Sequence, residues 1–139
     1  MANIDQLAIL LIDDDLPLRT AFSKALEREG HLTEGIDGSI DVIQKIEKFA
    51  PDLVLMDNHM PGKSGLQILE LIRAKWSKEE LPVVLVSGST MQDEVDKALN
   101  SGVNAFRRKP VELWELVETV NMVIGSVGVE SSVTSRVVG

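Results

Sequence analysis

Residues 8–17, AILLIDDDLP, join five consecutive apolar residues to three aspartates. An unbroken apolar run that is too short for an amphipathic helix is typical of a strand buried on both faces of a parallel sheet. Adjacent carboxylates repel each other, and at about 4 Å and an effective dielectric near 20 each like-charge pair costs roughly 4 kcal/mol. The stretch therefore predicts a central strand that ends in a costly concentration of negative charge.

Short apolar runs and helical apolar patterns alternate along the rest of the chain. The predicted strands are residues 7–12, 31–36, 52–56, 82–86 and 103–108. The predicted helices are residues 16–30, 37–50, 66–76, 91–102 and 111–124. This alternation predicts an α/β fold with a doubly wound, five-stranded parallel sheet, whose helices cover both faces through right-handed crossovers.

Residue type also predicts how some of the helices begin and pack. Asp15 precedes a helix with a proline in its first turn, so we expect it to be an N-cap rather than a metal ligand. Asp37 or Ser39 is the expected cap of the second helix. The fourth helix is expected to present a short apolar stripe formed by Val95, Ala98 and Leu99.

The composition restricts the class of protein. A chain of 139 residues suits one domain with a substantial core. Its net charge of −8 argues against a nucleic-acid surface, which needs clustered Lys and Arg. The sequence has no cysteine, no apolar stretch of membrane-spanning length and no basic leader, so we expect a cytoplasmic protein that binds no membrane.

The last residues differ from the rest of the chain. Residues 125–139, GSVGVESSVTSRVVG, mix small, polar and apolar residues without periodicity. Such a segment predicts a flexible tail or the start of a linker. The folded domain is therefore expected to span residues 1–124.

Polar and charged residues follow four of the predicted strands. In parallel sheets of this kind, ligands bind beyond the carboxyl ends of the strands, so these side chains should meet at one edge. They are Asp13 and Asp14 after the first strand, Asp57 after the third, Ser87 after the fourth and Lys109 after the fifth. Because Mg²⁺ prefers oxygen ligands and is typically held by one or two carboxylates beside a phosphate, the aspartates predict a magnesium site, in which Mn²⁺ can substitute.

This set of residues favours phosphoryl transfer, a reaction driven by positioning and by neutralising charge on the phosphoryl oxygens. An aspartate carboxylate can act as the nucleophile and form an acyl phosphate. Asp57 is the expected acceptor because it stands alone at a strand end, whereas the first-strand pair suits the metal. Ser87 and Lys109 would each bind a phosphoryl oxygen.

The chain resembles the receiver domain of two-component response regulators. The resemblance rests on LLIDDD (10–15), PDLVLMDNHMPGKSG (51–65), LPVVLVSGS (81–89) and AFRRKP (105–110), and it covers about residues 5–124. It implies a flavodoxin-like (βα)5 domain with strand order 2-1-3-4-5. It also implies a signalling switch that catalyses its own phosphorylation and slow dephosphorylation, rather than an enzyme with a separate substrate.

The resemblance assigns a role to each matching position. Asp57 is the implied phosphoacceptor, and Lys109, joined to Pro110 by a cis bond, is the implied phosphoryl-binding lysine. Ser87 and Phe106 match the switch hydroxyl and the switch aromatic residue. The implied metal ligands are Asp14, Asp57 and the backbone carbonyl of His59, with Asp13 acting through water. The side chains of His59 and Ser89 match the two positions that tune the phosphoryl lifetime in related receivers.

The implied partners are proteins. A sensor histidine kinase or a histidine phosphotransfer protein would donate the phosphoryl group, and a downstream protein or output domain would read the surface formed by the fourth helix, fifth strand and fifth helix. Phosphorylation-linked homodimerisation through the last helix is left open. Asn58 departs from family usage, because a hydrophobic residue often follows the acceptor.

Three other functions share features of this pattern. A flavodoxin-like cofactor binder would need a neutral phosphate-binding loop after the first strand, where this chain has DDDLP. A phosphatase with an aspartate nucleophile would need residues for a substrate cap, and 139 residues leave none. A pseudo-receiver, which binds partners without being phosphorylated, would have no reason to retain all the site residues.

Overall fold

A computed structural model describes residues 6–38, 41–60, 62–88 and 91–136, with side chains described up to Ser126. Strands and helices alternate in this part of the chain, as predicted. Their bounds are β1 (Ala8–Ile12), α1 (Leu16–Arg28), β2 (Leu32–Ile36), α2 (Val42–Phe49), β3 (Leu53–Asp57), α3 (Gly65–Arg73), β4 (Val83–Ser87), α4 (Gln92–Asn100), β5 (Ala105–Arg108) and α5 (Leu113–Arg136).

The strands form one parallel sheet in the order β2-β1-β3-β4-β5, which confirms the predicted flavodoxin-like topology. In the register of the central strands, Asp57 pairs with Val86, and Ser87 pairs with Arg108. The carboxyl ends of β3, β4 and β5 are therefore level, and the residues that end them lie at one edge of the sheet.

The continuous apolar runs are explained by burial on both faces of the sheet. Alternate residues point to opposite faces of a strand. On β1, Leu10 and Ile12 belong to one core cluster with residues of α2, α3 and α4, whereas Ile9 and Leu11 belong to a second cluster with residues of α1 and α5. A central strand with helices on both sides thus needs apolar residues at every position.

The helix starts show one correct prediction and one error. Asp15 caps α1, since its Oδ1 accepts a hydrogen bond from the Leu18 N–H at 3.1 Å. The cap of α2 is Asp41, not Asp37 or Ser39, and Ser39 lies outside the described residues. Capping by Asp41 starts the helix directly at the apolar run. A helix capped by Asp37 would instead include Gly38, and a glycine inside a helix costs about 1 kcal/mol relative to alanine.

Helix α4 packs by a narrower face than the sequence predicts. Within Gln92–Asn100, all of which is described, Ala98 is the buried side chain, whereas Leu99 is 54% exposed. Adjacent helical residues point about 100° apart, so a helix that touches the sheet along one narrow line cannot bury both.

Helix α5 is longer than predicted. It continues to Arg136, whereas we expected a flexible tail from residue 125. No proline interrupts this segment, and each further residue adds a backbone hydrogen bond to a helix that already exists. The domain boundary at residue 124 stays a prediction. None of the helices in the described part of the chain has the length and apolar composition needed to cross a lipid bilayer.

Candidate functional site

The carboxyl edge of the sheet brings together side chains from several strand ends. Asp13 follows β1, Asp57 ends β3, and Ser87 ends β4, with exposed fractions of 5%, 4% and 0%. Lys109 follows β5 and is half-buried, and Asp14 is exposed. Burial of this many polar groups at one edge costs free energy unless each has a partner.

Lys109 is directed at Asp57 by its backbone. Its N–H donates to the Ser87 carbonyl at 2.8 Å, and its bond to Pro110 is cis, as the resemblance implies. Nζ lies 2.7 Å from Asp57 Oδ1, which makes an ion pair. Burial alone would lower the pKa of the Lys109 amine. The contact with the Asp57 carboxylate and the charges of Asp57, Asp13 and Asp15 outweigh burial, so the pKa of Lys109 is raised above its usual value.

Asp57 nevertheless has incomplete hydrogen bonding. Its Oδ1 is buried, and among the described residues the donor that approaches this oxygen is the Lys109 ammonium at 2.7 Å, which is not well aligned for a hydrogen bond. A buried carboxylate oxygen without a hydrogen bond is unusual in a folded protein. The carboxylate is therefore set up for a further positive or hydrogen-bonding group.

The aspartates form a compact acidic cluster. One carboxylate oxygen each from Asp13, Asp14 and Asp57 lies within 4.8 Å of the others. Burial raises the pKa of Asp13, the charges of Asp57 and Asp14 raise it further, and a hydrogen bond from the Asp15 N–H and the charge of Lys109 act against them. A buried carboxylate oxygen without a well-aligned hydrogen bond, beside two further carboxylates, fits a hard divalent cation such as Mg²⁺.

The backbone of Asp13 is fixed by groups that the sequence analysis missed. Its N–H donates to the Ile36 carbonyl at 3.0 Å, and Arg19 Nη1 donates to the Asp13 carbonyl at 2.6 Å. Arg19 passes so close to Gly35 that a Cβ there would lie 2.8 Å from the Arg19 Cδ. A glycine at this position of β2 therefore lets the arginine support the end of β1.

Ser87 and His59 are in contact across the edge of the sheet. Ser87 Oγ lies 3.2 Å from His59 Nε2, a hydrogen bond whose donor depends on the imidazole tautomer. The resemblance implies the His59 carbonyl as a metal ligand, and this contact of the His59 side chain with Ser87 was not predicted. The carbonyl assignment stays a prediction, as does the tuning of phosphoryl lifetime by His59 and by Ser89, which lies outside the described residues.

Phe106 and Asn58 complete the surroundings. Phe106 is partly buried on β5 and packs against the core cluster on the α2–α4 side of the sheet, and its switching role stays a prediction. Asn58 is buried next to Asp57 and hydrogen-bonds to the first turns of α3 and α4 through Leu66 and Glu94. The signal for this role was the polar residue directly after the strand.

Comparison with known proteins identifies the family to which this fold belongs. Residues 9–121 match the family model of the response regulator receiver domain. The chain is 27% identical over 116 residues to the phosphate regulon transcriptional regulatory protein PhoB of Klebsiella pneumoniae, covering 84% of this chain and 51% of that protein. It is 31% identical over 112 residues to the DNA-binding response regulator MtrA of Mycobacterium leprae, covering 81% of this chain and 48% of that protein.

Solved structures show the same fold. The CheY-like response regulator receiver domain protein of Methanospirillum hungatei JF-1 superposes with a TM-score of 0.81 at 25% identity, covering 91% of this chain and 99% of that one. The chemotaxis response regulator CheY4 of Vibrio cholerae superposes with a TM-score of 0.78 at 20% identity, covering 86% and 99%. The chain spans about half the length of the curated relatives PhoB and MtrA. Because the family model extends over most of its length, the chain belongs to the response regulator receiver domain family.

Proposed function

We propose that Asp57 accepts a phosphoryl group from the phosphohistidine of a sensor histidine kinase or a histidine phosphotransfer protein. The observation that carries this proposal is the buried Asp57 carboxylate, which is paired with Lys109 at 2.7 Å and lies within the acidic cluster. The carboxylate supplies the nucleophilic oxygen, and the neighbouring ammonium offsets the negative charge that a phosphoryl group brings.

The transfer moves one phosphoryl group between two proteins. A carboxylate oxygen of Asp57 forms a bond to phosphorus while the phosphorus–nitrogen bond to the imidazole breaks, and the leaving imidazole keeps that electron pair. The product is an acyl phosphate, which water later hydrolyses to phosphate and the free carboxylate. The Lys109 ammonium and the Ser87 hydroxyl each bind a phosphoryl oxygen.

The acidic cluster is proposed to hold the divalent cation that this reaction needs. Asp14, Asp57 and the His59 carbonyl would bind Mg²⁺ directly, and Asp13 would act through water. When bound, the cation supplies positive charge that lowers the cost of bringing phosphoryl oxygens to three carboxylates. The residues of the chain then orient the phosphoryl group and exclude water from the buried side of Asp57.

Phosphorylation is proposed to change the surface formed by α4, β5 and α5. Ser87 would exchange its hydrogen bond with His59 for one with the phosphoryl group, and the half-buried Phe106 ring would turn inward. A downstream protein or output domain would then bind the changed surface in the cytoplasm. His59 and Ser89 would set how long the phosphoryl group persists.

Mass spectrometry of the intact protein tests the acceptor. With Mg²⁺ and a small-molecule phosphodonor, the chain should gain the mass of one phosphoryl group, which hydroxylamine removes. Asp57→Asn and addition of a chelator should each abolish this gain. Asp52→Asn is the matched control, because Asp52 lies at the opposite end of the same strand, where its Oδ2 accepts a hydrogen bond from the Ala8 N–H. A gain that persists in Asp57→Asn would contradict the proposal.

A further inference from the structure

Asn58 is a buried polar residue directly after the proposed phosphoacceptor, with an exposed fraction of 3%. Its backbone N–H donates to the Val86 carbonyl at 2.9 Å, and its carbonyl accepts a hydrogen bond from the Gly65 N–H at 2.9 Å. The backbone is therefore held between the end of β4 and the start of α3. A shift of the backbone at Asp57 would be passed on to the Asn58 side chain.

The side chain of Asn58 joins the first turns of two helices. Its Oδ1 accepts a hydrogen bond from the Leu66 N–H of α3 at 3.1 Å, and its Nδ2 donates to Glu94 Oε1 of α4 at 3.0 Å. A backbone N–H can only donate and a carboxylate can only accept, so the two partners fix the orientation of the amide. Both polar atoms of the side chain are thus used.

In the first turn of α4, residues 92–95, all of which are described, Glu94 and Val95 are half-buried and no side chain is fully buried. Ala98 is the buried side chain of this fully described helix, and it lies in the second half. Met91 stands at the N-cap position, where a thioether is a poor substitute for the oxygen of Ser, Thr, Asp or Asn. The hydrogen bond to a charged carboxylate is stronger than one between neutral groups. The bond from Asn58 is therefore a charge-assisted attachment of this turn to the residue that follows β3.

We infer that the Asn58–Glu94 hydrogen bond is a tether that holds α4 in its resting position and links that position to the state of Asp57. The first part, the holding of α4, follows from the contacts alone. The second part rests on the proposed function, because it requires Asp57 to be phosphorylated. Asn58 and Glu94 are positioning residues in this scheme, since neither is assigned a contact with the phosphoryl group.

The link must act in both directions. If phosphorylation of Asp57 favours a displaced α4, then a change that releases α4 must also favour phosphorylation at equilibrium. The tether is present in the unphosphorylated protein, so it stabilises the resting arrangement. Loss of the tether should therefore loosen α4 and also make Asp57 easier to phosphorylate.

Hydrogen exchange of the metal-free, unphosphorylated chain tests the holding of α4. Glu94→Ala should make the amides of residues 95–100 exchange about tenfold faster, which corresponds to about 1.4 kcal/mol. Asp93→Ala is the matched control, because it removes the same charge from the same helical turn but leaves the tether. Glu94→Gln keeps an acceptor oxygen and should restore slow exchange. Equal exchange in the two alanine variants would overturn the tether.

The rate of phosphorylation by a small-molecule donor with Mg²⁺ tests the link to Asp57. We take the displaced arrangement of α4 to be the one that accepts the phosphoryl group, so Glu94→Ala, which populates it more, should be phosphorylated about fivefold faster than the wild type. Asp93→Ala should match the wild type, and Glu94→Gln should lie close to it. Faster exchange without faster phosphorylation would overturn the link. If the wild type itself takes up no phosphoryl group, the proposed function fails and the link with it, while the exchange experiment still decides whether the tether exists.

Discussion

Both ends of the sheet hold charged groups beside the core, half-buried Arg73 at one end and buried Asp13 and Asp57 at the other, but the partners of these groups differ. At the amino end, the guanidinium of Arg73 donates to the carbonyls of Gly102, Trp76, Ser77 and Leu81 and to the side chain of Asn104, at 2.7–3.2 Å. At the carboxyl end, the three aspartates share one edge with Lys109, and Asp57 Oδ1 receives no hydrogen bond from the described residues.

This difference separates a structural polar group from a functional one. A buried charge whose donors all find acceptors contributes to stability and specifies one arrangement of the chain. A buried charge with an unused acceptor raises the free energy of the folded state until a ligand or a chemical group satisfies it. Mutations at the amino end should therefore change the stability of the protein, and mutations at the carboxyl end should change its response to ligands.

The largest expected effect is at Arg73. Arg73→Met should destabilise the protein by about 3–4 kcal/mol, because it leaves several backbone carbonyls and the Asn104 amide oxygen without this donor. Urea unfolding measures this change. Arg73→Lys should recover only part of the loss, since an ammonium cannot reproduce the planar fork of donors.

Two comparisons sharpen the Arg73 experiment. Arg28→Met, at the exposed end of α1, should change the free energy of unfolding by less than about 0.5 kcal/mol. We expect Mg²⁺ to raise the melting temperature of the wild type by relieving repulsion among the aspartates. This rise should be the same in Arg73→Met, because Arg73 lies at the opposite end of the sheet. A lost response to Mg²⁺ would show that the two ends are not separable.

A smaller effect, of opposite sign, is expected at Asp13. Asp13→Asn should stabilise the metal-free protein by about 1 kcal/mol, because it removes a buried charge that faces Asp57 and Asp14 and keeps the oxygen that accepts from the Asp15 N–H. The thermal stabilisation by Mg²⁺ should weaken in this variant. Asp14→Asn should stabilise less, since Asp14 is exposed, and should lose more of the Mg²⁺ response.

The pH dependence gives the sign of the Asp13 effect. Burial raises the pKa of Asp13 above 3.8 in the folded state, so the folded protein binds this proton more tightly than the unfolded chain. The cost of the charged form is therefore present above the raised pKa and disappears as the pH falls toward 3.8. The advantage of Asp13→Asn should shrink over the same interval, and an advantage that grows on acidification would contradict this account.

The carboxyl end was the more predictable of the two ends. Asp13, Asp57 and Ser87 directly follow apolar runs and Lys109 follows the last predicted strand, so the parallel topology alone brings these residues to one edge. Local sequence also predicted the cap of α1. The resemblance to receiver domains then supplied roles for these positions that residue type alone left open.

The amino end and the helix contacts depend on partners distant in sequence. Arg73 bonds to Gly102 across 29 positions, and Asn58 bonds to Glu94 across 36 positions. Before the fold is known, neither pair has a signal beyond a polar residue next to an apolar segment. The exposure of Leu99 was missed for a similar reason. How much of the α4 surface touches the sheet depends on how the helix packs in the folded protein, which the local sequence does not indicate.

The smallest expected effect is at His31, a second paired polar group at the amino end. Its Nδ1 accepts a hydrogen bond from the Leu7 N–H at 3.2 Å. Burial lowers the pKa of His31 below 6.5, although the charge of Glu29 acts against this. The stability that His31 contributes should be fully present above about pH 6.5 and be lost as the pH falls through the lowered pKa.

Two substitutions separate the hydrogen bond of His31 from its titration. His31→Asn keeps an acceptor oxygen but does not titrate. As the pH falls from 7 to 5, its free energy of unfolding should therefore rise relative to that of the wild type, by less than about 1 kcal/mol. His31→Ala removes the acceptor, so it should already be less stable than the wild type at pH 7. Urea unfolding at each pH would measure both effects. If wild type and His31→Asn lose stability in parallel on acidification, protonation of this imidazole does not remove a stabilising hydrogen bond. The stability of the amino end would then depend less on its paired polar groups than the contacts of Arg73 suggest.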